Sequence, residues 1–277
     1  MQVGMLTAPF GGDDLETVVG FASCAGFDAL EVAVGAKHCD VMGKLDVKAF
    51  MATIEGAGLK VSSLAAYCNC SDGNEDARKA NRTTIEEALK VCKKGGIPVL
   101  CTMAGMPPAG MSKEQCIKDI AAPYLKTLCK KAADAGVKIA LENWTATNIQ
   151  HLAQWDMIFD LVDMDNFGLN FDPSHLYWQG IDHLYAVEKF ASRIFHTHAK
   201  DTEIEQHKLS YIGNQVGGWW RYVIPGMGDI DWGVYIARLR KNGFNGVLSI
   251  EHEDGAVGRE EGFRLGLKHL RNWADGS

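Results

Sequence analysis

Short apolar runs alternate with longer amphipathic ones along the whole chain. Gln2–Thr7, Ala29–Val34, Lys60–Ala66, Ile97–Met103, Val137–Asn143, Phe167–Asp172, Arg193–Lys200 and Gly246–His252 are brief, rich in β-branched and aromatic residues, and read as strands. Asp14–Ala25, Asp46–Ala57, Asp76–Lys94, Lys113–Ala135, Asn148–Asp163, Asp182–Ala191, Asp231–Lys241 and Gly258–Ala274 read as helices between and after them. A phrase recurs at the joins: Ala25-Gly26-Phe27, Ala57-Gly58-Leu59, Ala135-Gly136-Val137 and Asn242-Gly243-Phe244, where glycine closes a helix just before a strand. Eight strands alternating with eight helices require parallel strands and crossover helices. In a chain of 277 residues that count favours a closed (β/α)8 barrel over an open doubly wound sheet. No linker interrupts the alternation, so residues 1–277 are expected to form one domain. Only Asp201–Asp229 breaks the rhythm, and a loop of that length is expected to be functional or part of an interface.

In such a barrel the chemistry sits where strands end. The fifth strand ends Leu141-Glu142-Asn143-Trp144 and the sixth Phe171-Asp172-Pro173-Ser174-His175. The seventh ends His196-Thr197-His198-Ala199-Lys200-Asp201 and the eighth Ile250-Glu251-His252-Glu253. Four consecutive strands thus deliver Glu142, Asp172, His198 and Glu251 to one rim. Three carboxylates and an imidazole would repel one another there unless a cation sat among them. Oxygen-rich ligation with one histidine suits a hard or borderline divalent ion, Mn²⁺ first, then Co²⁺ or Mg²⁺, and not a sulfur-rich structural zinc. Taken singly, each of these residues is more often a solvated charge or a satisfied polar group; their register on successive strands is the argument.

Composition narrows the class of partner. The formal charge of −7 gives no reason to expect nucleic acid, and no apolar run approaches the roughly 20 residues of a membrane helix. The first residues run straight into a strand without a secretion signal, and the eight cysteines (24, 39, 68, 70, 92, 101, 116 and 129) form no CxxC pair. Reduced thiols in a cytoplasmic protein are the expectation.

The series Leu-Glu-Asn, Phe-Asp-Pro-Ser-His, His-Thr-His-Ala-Lys-Asp, Pro-Gly-Met-Gly-Asp-Ile-Asp-Trp and Ser-Ile-Glu-His-Glu-Asp resembles the xylose-isomerase-like barrel superfamily. That superfamily includes sugar isomerases and epimerases, inosose dehydratase and apurinic-site endonucleases. The resemblance is specific in the second half and only rhythmic over the first four strands. It implies that Glu142, Asp172, His198 and Glu251 hold a metal, that Glu142 and Glu251 pass a proton, and that His175 touches substrate. The implied reaction is isomerisation or epimerisation of a ketose or keto-sugar through an enediolate, with one carboxylate taking the α-proton and the other returning it.

Around that centre, Lys200 and Arg221 are candidates to orient hydroxyls, or else structural ion pairs with Asp201 or a nearby glutamate. His196 shares a face with His198 and is assigned a supporting role; His183 and His207 read as surface. Trp144, Trp178, Trp219 and Trp220 follow strand ends, where indole faces suit a sugar ring or a glycoside, or serve as loop packing or a subunit contact. The chain is expected to be a homo-oligomer or a subunit of a larger complex. Gly226-Met227-Gly228 has no basic cluster beside it, so an unphosphorylated substrate is favoured. Two other activities use related machinery. A lyase, dehydrating an inosose or eliminating the aglycone of a 3-keto-glycoside, would share the first half of the mechanism. A nuclease would need further metal ligands, and the third and fourth strands end instead in Ala65-Ala66-Tyr67 and Cys101-Thr102-Met103. A sugar-binding barrel without catalysis is the remaining possibility.

Overall fold

The computed structural model describes residues 1–43 and 45–275. Eight parallel strands close into a barrel: β1 (Gln2–Leu6), β2 (Ala29–Ala33), β3 (Lys60–Ala66), β4 (Val99–Met103), β5 (Lys138–Glu142), β6 (Phe167–Phe171), β7 (Ile194–Ala199) and the last strand, β10 (Val247–Ile250). Closure is between β1 and β10, with Gln2 opposite Val247 and Met5 opposite Ile250. The (β/α)8 expectation is borne out.

Side-chain alternation separates two environments. Leu30 and Val32, Leu64 and Ala66, Ile139 and Leu141, and Leu248 and Ile250 point outward into the apolar layer between strands and helices. Between them, Glu31, Ser63, Cys101, Glu142, Asn170, His198 and Ser249 are buried in or at the mouth of the barrel. Parallel strands covered on both faces ordinarily read as unbroken apolar runs; these do not, because the barrel interior carries polar chemistry.

Helices α1 (Leu15–Ala25), α2 (Val47–Gly56), α3 (Glu75–Gly95), α4 (Lys113–Cys116), α5 (Ala122–Ala133) and α6 (Leu152–Val162) surround the first six strands. The glycines of the recurring phrase adopt left-handed backbone, Gly26 at φ 90° and Gly243 at φ 87°, as a helix terminus before a sharp return requires. Prolines account for two differences from the sequence reading. Ile97–Met103 begins as a strand only at Val99, since Pro98 has no N–H to give a ladder. The single helix expected over Lys113–Ala135 is broken by a π-helical turn at Ile117–Ala121, just ahead of Pro123, which cannot donate to the preceding turn. The sixth helix starts at Leu152 instead of Asn148.

Two short helices, α7 (Pro173–Tyr177) and α8 (His183–Lys189), follow β6. The irregular segment after β7 is a structure of its own. An antiparallel hairpin, β8 (Asp201–Ile204) with β9 (Trp220–Val223), carries helix α9 (Gln206–Ile212) between its strands. Helices α10 (Trp232–Lys241) and α11 (Arg259–Ala274) complete the ring. His207 is exposed but lies in α9, not in a loop. His183 is not a plain surface residue: it is half-buried against Tyr177 and Tyr235.

No described helix is long and apolar enough to cross a membrane.

Candidate active site

Glu142 ends β5, Asp172 follows β6, His198 lies in β7 and Glu251 follows β10, so four adjacent positions around the barrel supply one cluster. One donor atom from each lies within 4.8 Å of the others, and all four residues are buried. His198 Nδ1 is 3.0 Å from Glu251 Oε2 and 3.6 Å from both Glu142 Oε1 and Asp172 Oδ2. The local sequence aims these atoms. Asp172 caps α7: its Oδ1 accepts from the Ser174 amide (2.8 Å) and hydroxyl (2.6 Å), which leaves Oδ2 turned to the centre. The Asn143 side chain grips the Asp172 backbone at both ends, its Nδ2 donating to the carbonyl and its Oδ1 accepting from the amide, each at 2.8 Å. Asp172 Oδ2 and His198 Nδ1 are buried and make no hydrogen bond among the described residues, their near contacts being charged groups, Lys200 Nζ at 3.2 Å and Glu251 Oε2 at 3.0 Å. Leaving such groups unmade is costly, and a carboxylate oxygen and an imidazole nitrogen converging from different strands are what a cation site requires. Three oxygen donors and one imidazole fit a divalent ion in this position.

Lys200 is the buried cation beside the cluster. Its Nζ lies 2.6 Å from Glu251 Oε2, 3.2 Å from Asp172 Oδ2, 3.2 Å from Glu253 Oε2 and 3.3 Å from His175 Nε2. It makes no pair with Asp201. Burial alone would strip charge from Lys200, Glu142 and Asp172, but attraction within the cluster outweighs it; at Glu253 burial prevails and raises the pKa. Burial favours neutral Lys200, yet Asp172, Glu251 and Glu253 hold its pKa well above the ordinary lysine value. Burial likewise opposes ionised Glu142 and Asp172; His175 and His198 hold the first low, and Lys200, His175 and His198 the second.

His175 Nε2 is 3.3 Å from Glu142 Oε1, and its Nδ1 shares a 2.6 Å hydrogen bond with the Tyr222 hydroxyl. Above the cluster opens a pocket of about 230 Å³ lined by Tyr67, Met103, Glu142, Trp144, His175, Lys200, Glu251 and Glu253. The structure therefore brings together Glu142, Asp172, His175, His198, Lys200, Glu251 and Trp144. It does not bring in Arg221, whose side chain is half-exposed and paired with Glu203 (2.6 Å) and Asp254 (3.0 Å): next to Tyr222 on a strand, it points the other way. Trp178 stands one layer out. It stacks on Trp220 at 4.3 Å, donates to the Tyr222 hydroxyl at 3.3 Å, and with the buried Trp219 lines a separate cleft of about 610 Å³.

Glu31, Tyr67, Asn170, Glu253 and Tyr222 escaped the sequence reading. Glu31 left a trace, as a lone charge in the apolar run Ala29-Leu30-Glu31-Val32-Ala33, and Glu253 follows Glu251 at strand period. Glu31, Cys101 and His196 make a second buried group of potential ligands. His196 already spends both nitrogens, Nδ1 on Asn170 Oδ1 (2.9 Å) and Nε2 on the Ser62 hydroxyl (3.1 Å), so it has no free donor atom to offer a metal.

The Gly226-Met227-Gly228 turn is not available to an anion. The Asp201 carboxylate accepts from the amides of Gly226 (2.9 Å), Gly228 (3.3 Å), Ile230 (3.1 Å) and Thr202 (2.8 Å) and from Trp232 Nε1 (2.8 Å). A Cβ at Gly228 would come within 2.5 Å of that carboxylate. Asp201 therefore fastens the far end of the hairpin insertion to β8. Asp201→Ala orphans these donors and should cost about 3–5 kcal/mol in urea unfolding, with new proteolytic cuts between residues 206 and 218. A loss below about 1 kcal/mol would show that the insertion does not depend on this carboxylate.

The profile of the family described as xylose isomerase-like TIM barrel matches residues 19–273. An uncharacterised protein of Bacillus subtilis (strain 168), YfiH, is 28% identical, the match covering 98% of each chain. An inosose dehydratase of Geobacillus thermodenitrificans (strain NG80-2) is 27% identical over 91% of this chain and 90% of its own. Among solved structures, the IOLI protein with a binding zinc atom superimposes with a TM-score of 0.80 at 22% identity, covering 99% of this chain and 98% of that one. The apo form of 3-keto-D-glucoside 4-epimerase, YcjR, from E. coli gives 0.74 at 20% identity, covering 98% and 99%.

Proposed function

The chain belongs to the xylose isomerase-like TIM-barrel family, and from that premise we propose that it is a divalent-metal-dependent enzyme that removes the proton next to the ketone of a neutral keto-sugar or keto-polyol. The supporting observation is the convergence of Asp172 Oδ2 and His198 Nδ1, which make no hydrogen bond among the described residues, with Glu142 and Glu251 at the floor of the pocket. These four residues hold the ion; the oxygen-rich donor set favours Mn²⁺, with Co²⁺ or Mg²⁺ next, and the zinc of the IOLI structure belongs to the same class of divalent cation. When bound, the ion supplies Lewis-acid polarisation of the substrate carbonyl.

The chain's own groups do the rest. Glu142 and Glu251 stand on strands separated by two others around the barrel, so they address a bound substrate from different sides. One takes the α-proton, and the other returns a proton to the opposite face or the adjacent carbon. His175, held by Tyr222, presents Nε2 toward a substrate hydroxyl. Trp144 supplies an apolar surface for a ring face. Lys200 is the cation of the pocket lining and is already engaged by carboxylates. With Glu142, Glu251 and Glu253 in its lining, this pocket suits a neutral polyol better than a phosphate. On this reading the product is an epimer or isomer.

The inosose dehydratase relative favours a second outcome, β-elimination after the same proton abstraction. Glu253 at the pocket wall, whose pKa burial raises, then gives its proton to the departing hydroxyl, which leaves as water, and Lys200 at 3.2 Å stabilises the carboxylate left behind. The test is proton NMR in D₂O on protein stripped of metal and reloaded with Mn²⁺, using free ketoses, an inosose and a 3-keto-glucoside, with the metal removed before spectra are taken. Deuterium should enter next to the carbonyl only with metal-loaded protein, and the product, whether epimer, isomer or dehydrated enone, assigns the reaction. Absence of exchange with every ketone, from protein that binds Mn²⁺, would overturn the proposal.

A further inference from the structure

Glu31 lies in the barrel interior behind His198, on the side away from the pocket. It is fully buried, as is His198. His198 Nε2 hydrogen-bonds Glu31 Oε1 at 3.3 Å and lies 3.2 Å from Oε2, which has no hydrogen bond among the described residues. Two groups fix the carboxylate. The Tyr67 hydroxyl donates to Oε1 at 2.8 Å, and Asn170 Nδ2 donates to the Tyr67 oxygen at 2.8 Å. On its other side the Asn170 amide meets His196, whose Nδ1 lies 2.9 Å from Asn170 Oδ1.

An imidazole presents one proton to two nitrogens, and here the two choices differ sharply. With the proton on Nδ1, Nε2 would accept from Asn170 Nδ2 at 2.9 Å, and an N–H would block the point where the four ligands converge. With the proton on Nε2, it donates to Glu31, and the Nδ1 lone pair faces Glu142, Asp172 and Glu251. Either proton would meet a carboxylate, Glu251 Oε2 at 3.0 Å from Nδ1 or Glu31 at 3.2–3.3 Å from Nε2; with a cation among Glu142, Asp172 and Glu251, only the second arrangement leaves Nδ1 to the ion and gives Nε2–H a charged acceptor.

We propose that Glu31 is a positioning residue for the metal ligand His198: it holds the proton on Nε2, keeps Nδ1 bare for the ion, and raises the donor strength of the imidazole, with Tyr67 and Asn170 holding Glu31 in turn. Carboxylate–histidine pairs behind metal ions act in this manner generally. The inference rests on the metal-dependent reading above, and it assigns a role to β2, a strand that contributes no ligand.

The test is Co²⁺ titration of metal-stripped protein, followed by its visible absorption, for wild type, Glu31→Gln, Glu31→Leu and Tyr67→Phe. The two Glu31 variants should bind Co²⁺ about 10–100-fold more weakly, and Tyr67→Phe several-fold. Long-range ¹H–¹⁵N spectra of histidine-labelled, zinc-loaded wild type should place the His198 proton on Nε2. A role in packing alone would lower the melting temperature of the metal-free variants without moving the Co²⁺ affinity or the tautomer. Unchanged affinity in a folded Glu31 variant, or a proton on Nδ1, overturns the proposal while leaving the metal site standing. If the Glu31 variants fail to fold, unchanged affinity in Tyr67→Phe together with an Nδ1 proton in wild type does the same. A wild type that binds no Co²⁺ overturns the metal reading itself, and this inference with it.

Discussion

Glu142→Gln and Glu251→Gln should each lower kcat by about 10²–10⁴-fold while the barrel stays folded. Glutamine keeps the volume and one acceptor oxygen but cannot take a proton, so the change isolates the base. Both residues also face His198 Nδ1, at 3.6 Å and 3.0 Å, so metal content must be measured in the same samples. Variants that retain the ion but not turnover identify the carboxylates as proton carriers. The pair also separates the two reactions. In an epimerase each carboxylate serves one face, so each variant loses turnover yet still exchanges the α-proton of one of the two epimers with D₂O. In a dehydratase a single carboxylate is the base: one variant loses exchange altogether, and the other keeps it. Wild-type turnover in either variant on a true substrate would sink the two-carboxylate mechanism.

What could be read from the sequence, and what could not, follows from where each residue's constraint is local. Glu142, Asp172, His198 and Glu251 were visible because a parallel strand reports its own end, and the barrel makes all ends neighbours. His175 was visible because Asp172 and His175 share one turn, now seen as α7. Glu31 and Tyr67 come from β2 and the end of β3, across the barrel from the ligands, and only closure of the sheet brings Glu31 to His198, 167 residues away. Tyr222 was hidden for a different reason. Asp201–Asp229 has no period that marks a hairpin of two four-residue strands around α9, so nothing local distinguishes Tyr222, which enters the site, from Arg221, which leaves it. Of the tryptophans expected just past strand ends, Trp144 follows β5 and lines the pocket, whereas Trp178 ends α7 and Trp220 opens β9, where their stack supports Tyr222.

Lys200→Met should destabilise the metal-free protein by about 3–5 kcal/mol, because it removes one partner from a buried ionic cluster and leaves the others uncompensated. Lys200 is 1% exposed and Asp172 is 0% exposed, so neither can borrow solvation from water. Methionine fills a similar volume, so the loss reports charge more than packing. Glu253 is 46% exposed at its side chain and can relax outward; Asp172 and Glu251, at 0% and 11%, cannot. In a chain of this size the penalty corresponds to a fall in melting temperature of roughly 6–15 °C. Saturating Mn²⁺ should restore the greater part of it, because a divalent ion held by Glu142, Asp172, His198 and Glu251 supplies the missing positive charge at nearly the same point. The thermal scan therefore reads two things at once: the size of the metal-free loss measures how far Lys200 holds the carboxylates together, and recovery with Mn²⁺ but not with an equal ionic strength of NaCl shows that the cluster binds the ion specifically. Equal melting of the metal-free variant and wild type would mean that Lys200 does not hold the carboxylates together in the metal-free protein, and that it acts on substrate alone.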